Sequence, residues 1–274
     1  MTTVIVTRDR CEQLLAMVGS VGPPVVVVDN GSRDGSADAV EAAFPDTTVV
    51  RLPRDCGVEG FNAGARAART RYVAFADDCC WWERKTLALG ARTFDEHPTL
   101  GLISAAVNDV SNGPDPVSRA LSRSPLTGRQ GLPGTPVLGF VACACLVRRQ
   151  PFLDVGGFDT LSGLGGEEQR VALDLADAGW AIRFRDDINV WADRSWGGRR
   201  RRVEVRDEVL TALMRRPIRV AMLCAWQSGR QDLAGLLGVF RALPLMPVAL
   251  HRRKLMSARI ETRARMIDQR TPSR

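Results

Sequence analysis

The chain has 274 residues, 45% of them hydrophobic, with 38 basic and 31 acidic side chains and a formal net charge of +7. That length and apolar content suit a folded globular protein with a substantial core and exclude a disordered or fibrous one. No run of about 18 apolar residues is free of charge, and the start Met1-Thr-Thr-Val-Ile-Val-Thr-Arg8 lacks the pattern of a signal peptide, so a cytoplasmic location is expected.

Strand and helix alternate from the first residues onward. Thr3 to Val6 is a short β-branched run, and Leu14, Leu15 and Val18 mark the apolar face of a helix after it. Val25 to Val28 is a continuous apolar run, as expected of a strand buried on both faces. It delivers the acidic, turn-rich loop Asp29-Asn-Gly-Ser-Arg-Asp-Gly35, and Ser36 is placed to cap the next helix. Thr47 to Leu52 is a third strand. The stretch Asp55-Cys-Gly-Val-Glu-Gly-Phe-Asn-Ala-Gly64 then opens a helix whose glycines allow the backbone to approach a ligand. A fourth strand, Tyr72 to Ala76, runs straight into the carboxylates Asp77 and Asp78, two thiols and two indoles. This βαβ series predicts a largely parallel sheet and a Rossmann-like nucleotide-binding half. Ligands collect at the carboxyl ends of such strands, where the paired acids stand.

Beyond a helical stripe at Leu87, Ala91 and Phe94 and a strand from Gly101 to Val107, the pattern breaks. Residues 108 to 134 read as a long functional or mobile loop. Strand character returns from Pro136 to Val147. Glu167 to Ala178 reads as a helix, and Ala181 to Phe184 and Ile188 to Trp191 as two short last strands. From Val203 the chain reads as helical, with Leu233 to Leu250 apolar on much of its surface and arginines at both ends. That segment suits packing on the sheet domain or contact with a membrane surface.

The seven cysteines suit reduced, mostly buried thiols. Neither Cys79-Cys80 nor Cys143-Ala-Cys145 has the spacing usual for zinc, and His97 and His251 are distant in sequence. All the basic residues except Lys85 and Lys254 are arginine, and their excess falls after residue 194. A solvated basic face accounts for it. Nucleic acid is not expected as a partner, because no aromatic stacking motif accompanies the arginines.

Together, Val25-Val-Val-Val-Asp-Asn-Gly-Ser-Arg-Asp-Gly35, Gly57 with Phe61-Asn-Ala-Gly64, Ala74-Phe-Ala-Asp-Asp78, Gly156-Gly-Phe-Asp159 and Gly165-Gly-Glu-Glu168 resemble a family 2 glycosyltransferase of the GT-A fold. The resemblance implies an α/β protein with a mixed, mostly parallel sheet flanked by helices. It places the transferase domain at residues 1–196 and a basic helical extension at 197–274. It implies transfer of a sugar from a nucleotide-sugar donor to a hydroxyl of a glycan, lipid-linked or small-molecule acceptor, with inversion. Thr7, Arg8, Asp29, Asn30, Asp34, Gly57, Asn62, Asp77 and Asp78 then fall at the donor nucleotide. Glu168, or its neighbour Glu167, matches the carboxylate that deprotonates the acceptor.

Two positions depart from the family pattern. In D-x-D, residues i and i+2 of an extended backbone point the same way, and the third position meets Mg²⁺ or Mn²⁺. Here that position is Cys79, and the His of many relatives is absent from Val190-Trp-Ala-Asp-Arg-Ser195. Three readings stand open. A divalent metal is held by Asp77, Asp78 or Asp193; or Arg194 and Arg199 neutralise the departing diphosphate in its place; or the fold persists as a binding or scaffold protein without the reaction.

Overall fold

The computed structural model describes residues 1–110, 113–159, 161, 167–192 and 201–269. The first half is a βαβ series: β1 (Thr2–Thr7), α1 (Cys11–Val21), β2 (Val25–Asp29), α2 (Ser36–Ala43), β3 (Thr48–Arg51), α3 (Glu59–Ala67) and β4 (Tyr72–Asp77). There follow β5 (Cys80–Trp82), α4 (Arg84–Glu96), β6 (Leu100–Asp109), β7 (Gly113–Pro114), α5 (Pro116–Ser122), β8 (Thr135–Pro136), β9 (Cys145–Arg148), α6 (Arg149–Asp154), α7 (Glu167–Asp177) and β10 (Ala181–Ala192). The C-terminal part is helical: α8 (Arg201–Arg215), α9 (Ile218–Gln231), α10 (Leu233–Ala242), α11 (Met246–His251) and α12 (Ala258–Asp268).

The strands form one mixed sheet in the order β3-β2-β1-β4-β9-β6-β10-β5, with β7 on β6 and β8 on β10. β1, β2, β3 and β4 run parallel, whereas β9 is inserted antiparallel between β4 and β6. Alternation along each strand divides the core into two layers. Val4, Val6, Val26, Val28 and Phe75 point to the side covered by α3, α6 and α7, where Phe61, Phe152 and Phe158 pack around Phe75. Ile5, Val25, Val27 and Ala76 point to the side covered by α1, α2 and α4. Burial on both faces explains why these strands read as continuous apolar runs.

Three local expectations are corrected. Ala181 to Trp191 is not two strands: β10 is continuous along β6, with a bulge between Arg185 and Asn189 that holds Asp186 and Asp187, the acidic pair that reads as a break. The run from Pro136 to Val147 is not one strand but the short β8, a buried 3₁₀ turn at Ala142–Ala144 and β9. Residues 108 to 134 contain α5, which Asp115 caps by accepting from the Val117 amide at 2.7 Å with Pro116 in the first turn.

The C-terminal helices surround a third apolar cluster, built from Val205, Val209, Leu210 and Met214 of α8 with Ala221, Ala242 and Ala249. α12 instead returns to the sheet, placing Ile260 and Ala264 in the first layer. The expected boundary at 196/197 lies at residues 193–200, outside the described residues.

Candidate functional site

The carboxyl ends of β1, β2 and β4 lie side by side, with Val6 opposite Asp77 and Thr7 opposite Asp29 in the parallel register. This register brings together acids that are far apart in sequence. The Thr7 hydroxyl donates to Asp78 Oδ2 at 3.1 Å, and Arg10 Nε stands 3.8 Å from Asp78 Oδ1. Burial pushes the Asp78 carboxyl up from its ordinary value, and the adjacent Asp77 charge adds to this, while Arg10 and Thr7 oppose it.

The loops above these strand ends are tied to one another. Asp29 Oδ1 accepts from the Ser32 amide at 2.8 Å and turns the chain there. Asn30 accepts from the Cys56 amide at 2.8 Å and donates to Asp55 Oδ1 and to the Gly57 carbonyl. Gly57 takes a positive φ of 57° at that crossing. Asp34 accepts from the Cys11 and Ser36 amides and from the Ser36 hydroxyl, so it holds the starts of α1 and α2; that hydroxyl bond, against the cost of burial, holds its carboxyl below the ordinary value. Ser36 is thus the first residue of α2 and not its cap; Gly35 holds the N-cap position, and Asp34 ties the turn before it.

Three residues at this site escape a reading by motif. Asp55 joins Arg8, Asn30 and the Gly57 amide. Asp9, at a positive φ of 52°, accepts from the Arg33 amide at 2.7 Å and bridges the first two loops. Arg10 faces Asp78. Their one available signal was position, in the loops that follow β1 and β3.

Asn62 is placed differently from the expectation. It is buried, its Oδ1 accepts from the Phe158 amide at 2.8 Å, and its Nδ2 donates to the Phe158 carbonyl at 2.8 Å and to Glu59. Its amide is engaged by the fold, as that of Asn30 is. Gly60 and Gly64 likewise face Val6 and Val4 of β1, so closely that a Cβ would collide. These two α3 glycines serve close packing of helix on sheet rather than approach to a ligand.

Glu168 stands in the first turn of α7, half-buried, near enough to Cys145 for its charge to add to the burial that raises that thiol. Cys145 pairs with Phe75 across β9 and β4, two residues before Asp77. Glu167 begins the same helix, and its side chain, with Asp193, Arg194 and Arg199, lies outside the described residues.

The sequence matches the description Glycosyl transferase family 2 over residues 4–156, more than half of the chain. The chain belongs to glycosyl transferase family 2. A comparison with curated proteins gave no match. Among solved structures, mannosyltransferase PcManGT from Pyrobaculum calidifontis, in complex with GDP-Man and Mn²⁺, aligns at a TM-score of 0.58 and 19% identity, over 99% of this chain and 81% of that one. S. aureus TarS 1-349, in complex with UDP-GlcNAc, aligns at 0.63 and 16% identity over 98% and 89%. GalNAc-T7, with UDP, GalNAc and Mn²⁺, aligns at 0.67 and 14% identity over 99% and 58%. At these identities the likeness is one of fold, and the fold of this family 2 chain is GT-A.

Two of those structures hold Mn²⁺, so the fold implies a divalent cation. The residues of this family 2 member do not fit a hard one at the third D-x-D position. Asp77, Cys79 and Cys80 can bring one oxygen and two sulfurs within 4.8 Å of one another, a donor set for a thiophilic ion rather than for Mg²⁺ or Mn²⁺. The Cys79 thiol donates to Asp77 Oδ1 at 2.7 Å. A hydrogen bond with Cys80 pulls that thiol down, but burial and the Asp77 charge outweigh it and push it up to about 11. Cys79 is thus a neutral donor at physiological pH.

Proposed function

We propose that the chain transfers a sugar from a nucleotide-diphosphate sugar to an acceptor hydroxyl, with inversion at the anomeric carbon. The observation that carries this reading is the convergence of Thr7, Asp29, Asn30, Asp77 and Asp78 at the ends of adjacent parallel strands in a family 2 chain. A nucleoside needs acceptors for its base and ribose at such a crevice, and Asp77 with Asp29 supplies them. The nucleotide sugars GDP-Man and UDP-GlcNAc in similar structures support the donor class.

Glu168 is the proposed base. Its carboxylate takes the proton of the acceptor hydroxyl as that oxygen attacks the anomeric carbon from the face opposite the diphosphate. The bond to the diphosphate breaks, the configuration inverts, and the electron pair leaves on the diphosphate. Arg194 and Arg199 are the proposed partners of that charge.

A second reading, a binding or scaffold protein with a degenerate site, is favoured by the sulfur of Cys79 on Asp77. Calorimetry with a panel of nucleotide sugars, in Mn²⁺ or EDTA, followed by turnover assays, separates the two. Tight binding with turnover supports the transferase, binding without turnover supports the second reading, and no binding to any member of the panel refutes both. In an active preparation, Glu168→Gln lowers turnover by about 100-fold or more while donor affinity stays within about twofold. Unchanged turnover in that variant would remove Glu168 from the mechanism.

A further inference from the structure

A surface helix of a globular protein buries its large apolar side chains and exposes small or polar ones. Helix α10 is built the other way. Its buried residues are Gly235, Gly238 and Ala242. Gly235 meets the Ser228 carbonyl of α9, and Gly238 meets the Arg202 carbonyl and Val205 of α8, each so closely that a Cβ has no room. The outward face carries Leu233, Leu236, Leu237 and Phe240, at helical spacing i, i+3, i+4 and i+7, exposed by 71, 40, 37 and 57%. On α9, Ile218, Met222 and Trp226 repeat the pattern at i, i+4 and i+8, each more than half exposed. Val248 and Leu250 of α11, and Leu255 beyond it, extend the exposed apolar surface. A water-facing surface of this composition is a docking face.

Charge identifies the partner. From Pro217 to Ser257, Arg219, Arg230, Arg241 and Lys254 stand against one acid, Asp232, which caps α10 by accepting from the Gly235 amide, while Arg252 and Arg253 bind Asp159 and main-chain carbonyls within the protein. Arg230 lies over the Trp226 ring at 4.6 Å, an indole and a guanidinium together at the edge of the apolar face. A second copy would bring one basic face against another, whereas an anionic bilayer offers acyl chains for the apolar residues and phosphates for the arginines. The stretch Leu233–His251 has a mean hydropathy of 1.8 and is long enough to cross a membrane, with 22% of it buried. Ala242 and Ala249 are in the core over α8, so withdrawing the stretch into a bilayer would open that core.

We infer that the outer faces of α9, α10 and α11 seat the protein on an anionic lipid surface, lying in the interface and not spanning it. Seating requires no sugar transfer, so the inference stands or falls apart from the transferase reading. The test is co-sedimentation of the full chain with vesicles of phosphatidylcholine, with and without phosphatidylglycerol. The expected result is partition onto the anionic vesicles, weakened by salt. Replacing Leu236 and Phe240 together by Asp lowers partition by about tenfold or more, and Arg230→Gln or Arg241→Gln by about fivefold each on anionic vesicles only. All four side chains are exposed, and an unchanged circular dichroism spectrum checks that the variants fold. Absence of partition onto either vesicle overturns the inference, as does partition indifferent to the Leu236 and Phe240 changes. So does a dimer at sedimentation equilibrium that those changes dissolve while vesicle binding persists.

Discussion

At position 79 one side chain decides the chemistry of the strand end. A carboxylate there would complete three consecutive acids from the last residue of β4, and the thiol instead spends its proton on Asp77 Oδ1. Cys79→Asp converts that position to a hard oxygen donor. It is expected to tighten Mn²⁺ binding, in the presence of a nucleoside diphosphate, by about tenfold or more. Titrating Mn²⁺ into both proteins by calorimetry checks this, and equal affinities would show that the third position does not face the metal. The position of Asp77 and Asp78 was readable in the sequence because a strand with no turn residue carries them to its end. Asp55 was not readable, because its three partners come from loops separated from it by distance along the chain or hidden in the backbone. Side chains that tie loops together carry no periodicity, and only the folded register discloses them.

Among the elements, α3 shows how a motif can be read correctly in place and wrongly in purpose. The stretch Asp55 to Gly64 marks the opening of a helix beside the strand ends, yet Gly60 and Gly64 fit α3 onto β1 and the amide of Asn62 latches the Gly156-Gly157-Phe158 turn. Asn62→Ala leaves the buried amide and carbonyl of Phe158 without those partners, each worth about 1–3 kcal/mol when unsatisfied. A loss of about 2–4 kcal/mol is therefore expected in urea unfolding, as a lower midpoint at unchanged slope. A loss under about 0.5 kcal/mol would mean that the turn holds without the latch. The parallel strands were legible because burial on both faces writes continuous apolar runs. β5 was not: Cys80 and Trp82 are buried and Trp81 is half-exposed, an alternation three residues long that is too short to distinguish from the turn before it. The bulge in β10 was hidden for the opposite reason, since Asp186-Asp187 mimics a loop inside a strand whose pairing with β6 resumes at Asn189.

For the whole molecule, the question is how the sheet and the C-terminal helices act together. Arg215 of α8 donates through Nε and Nη2 to the two oxygens of Asp174 on α7, the helix that begins at Glu167 and carries Glu168. Arg170, one turn before Asp174, binds the same carboxylate and the Gly157 carbonyl, and Arg252 reaches Asp159 at 2.9 Å. One ionic network, partly buried and exposed at Arg252, thus joins the Gly156 to Asp159 turn and α7 to α8 and the end of α11. Breaking a buried pair from one side costs about 3–5 kcal/mol, and Arg170 remains to offset part of it. Arg215→Met is therefore expected to destabilise the protein by about 2–3 kcal/mol. Because the lost bond belongs to both helices, amide hydrogen exchange should accelerate in α7 as well as in α8, and turnover should fall with the positioning of Glu168. If α8 alone loosens while α7 keeps its protection, Asp174 and Arg170 suffice to hold the helix of the proposed base, and the C-terminal helices do not set its position.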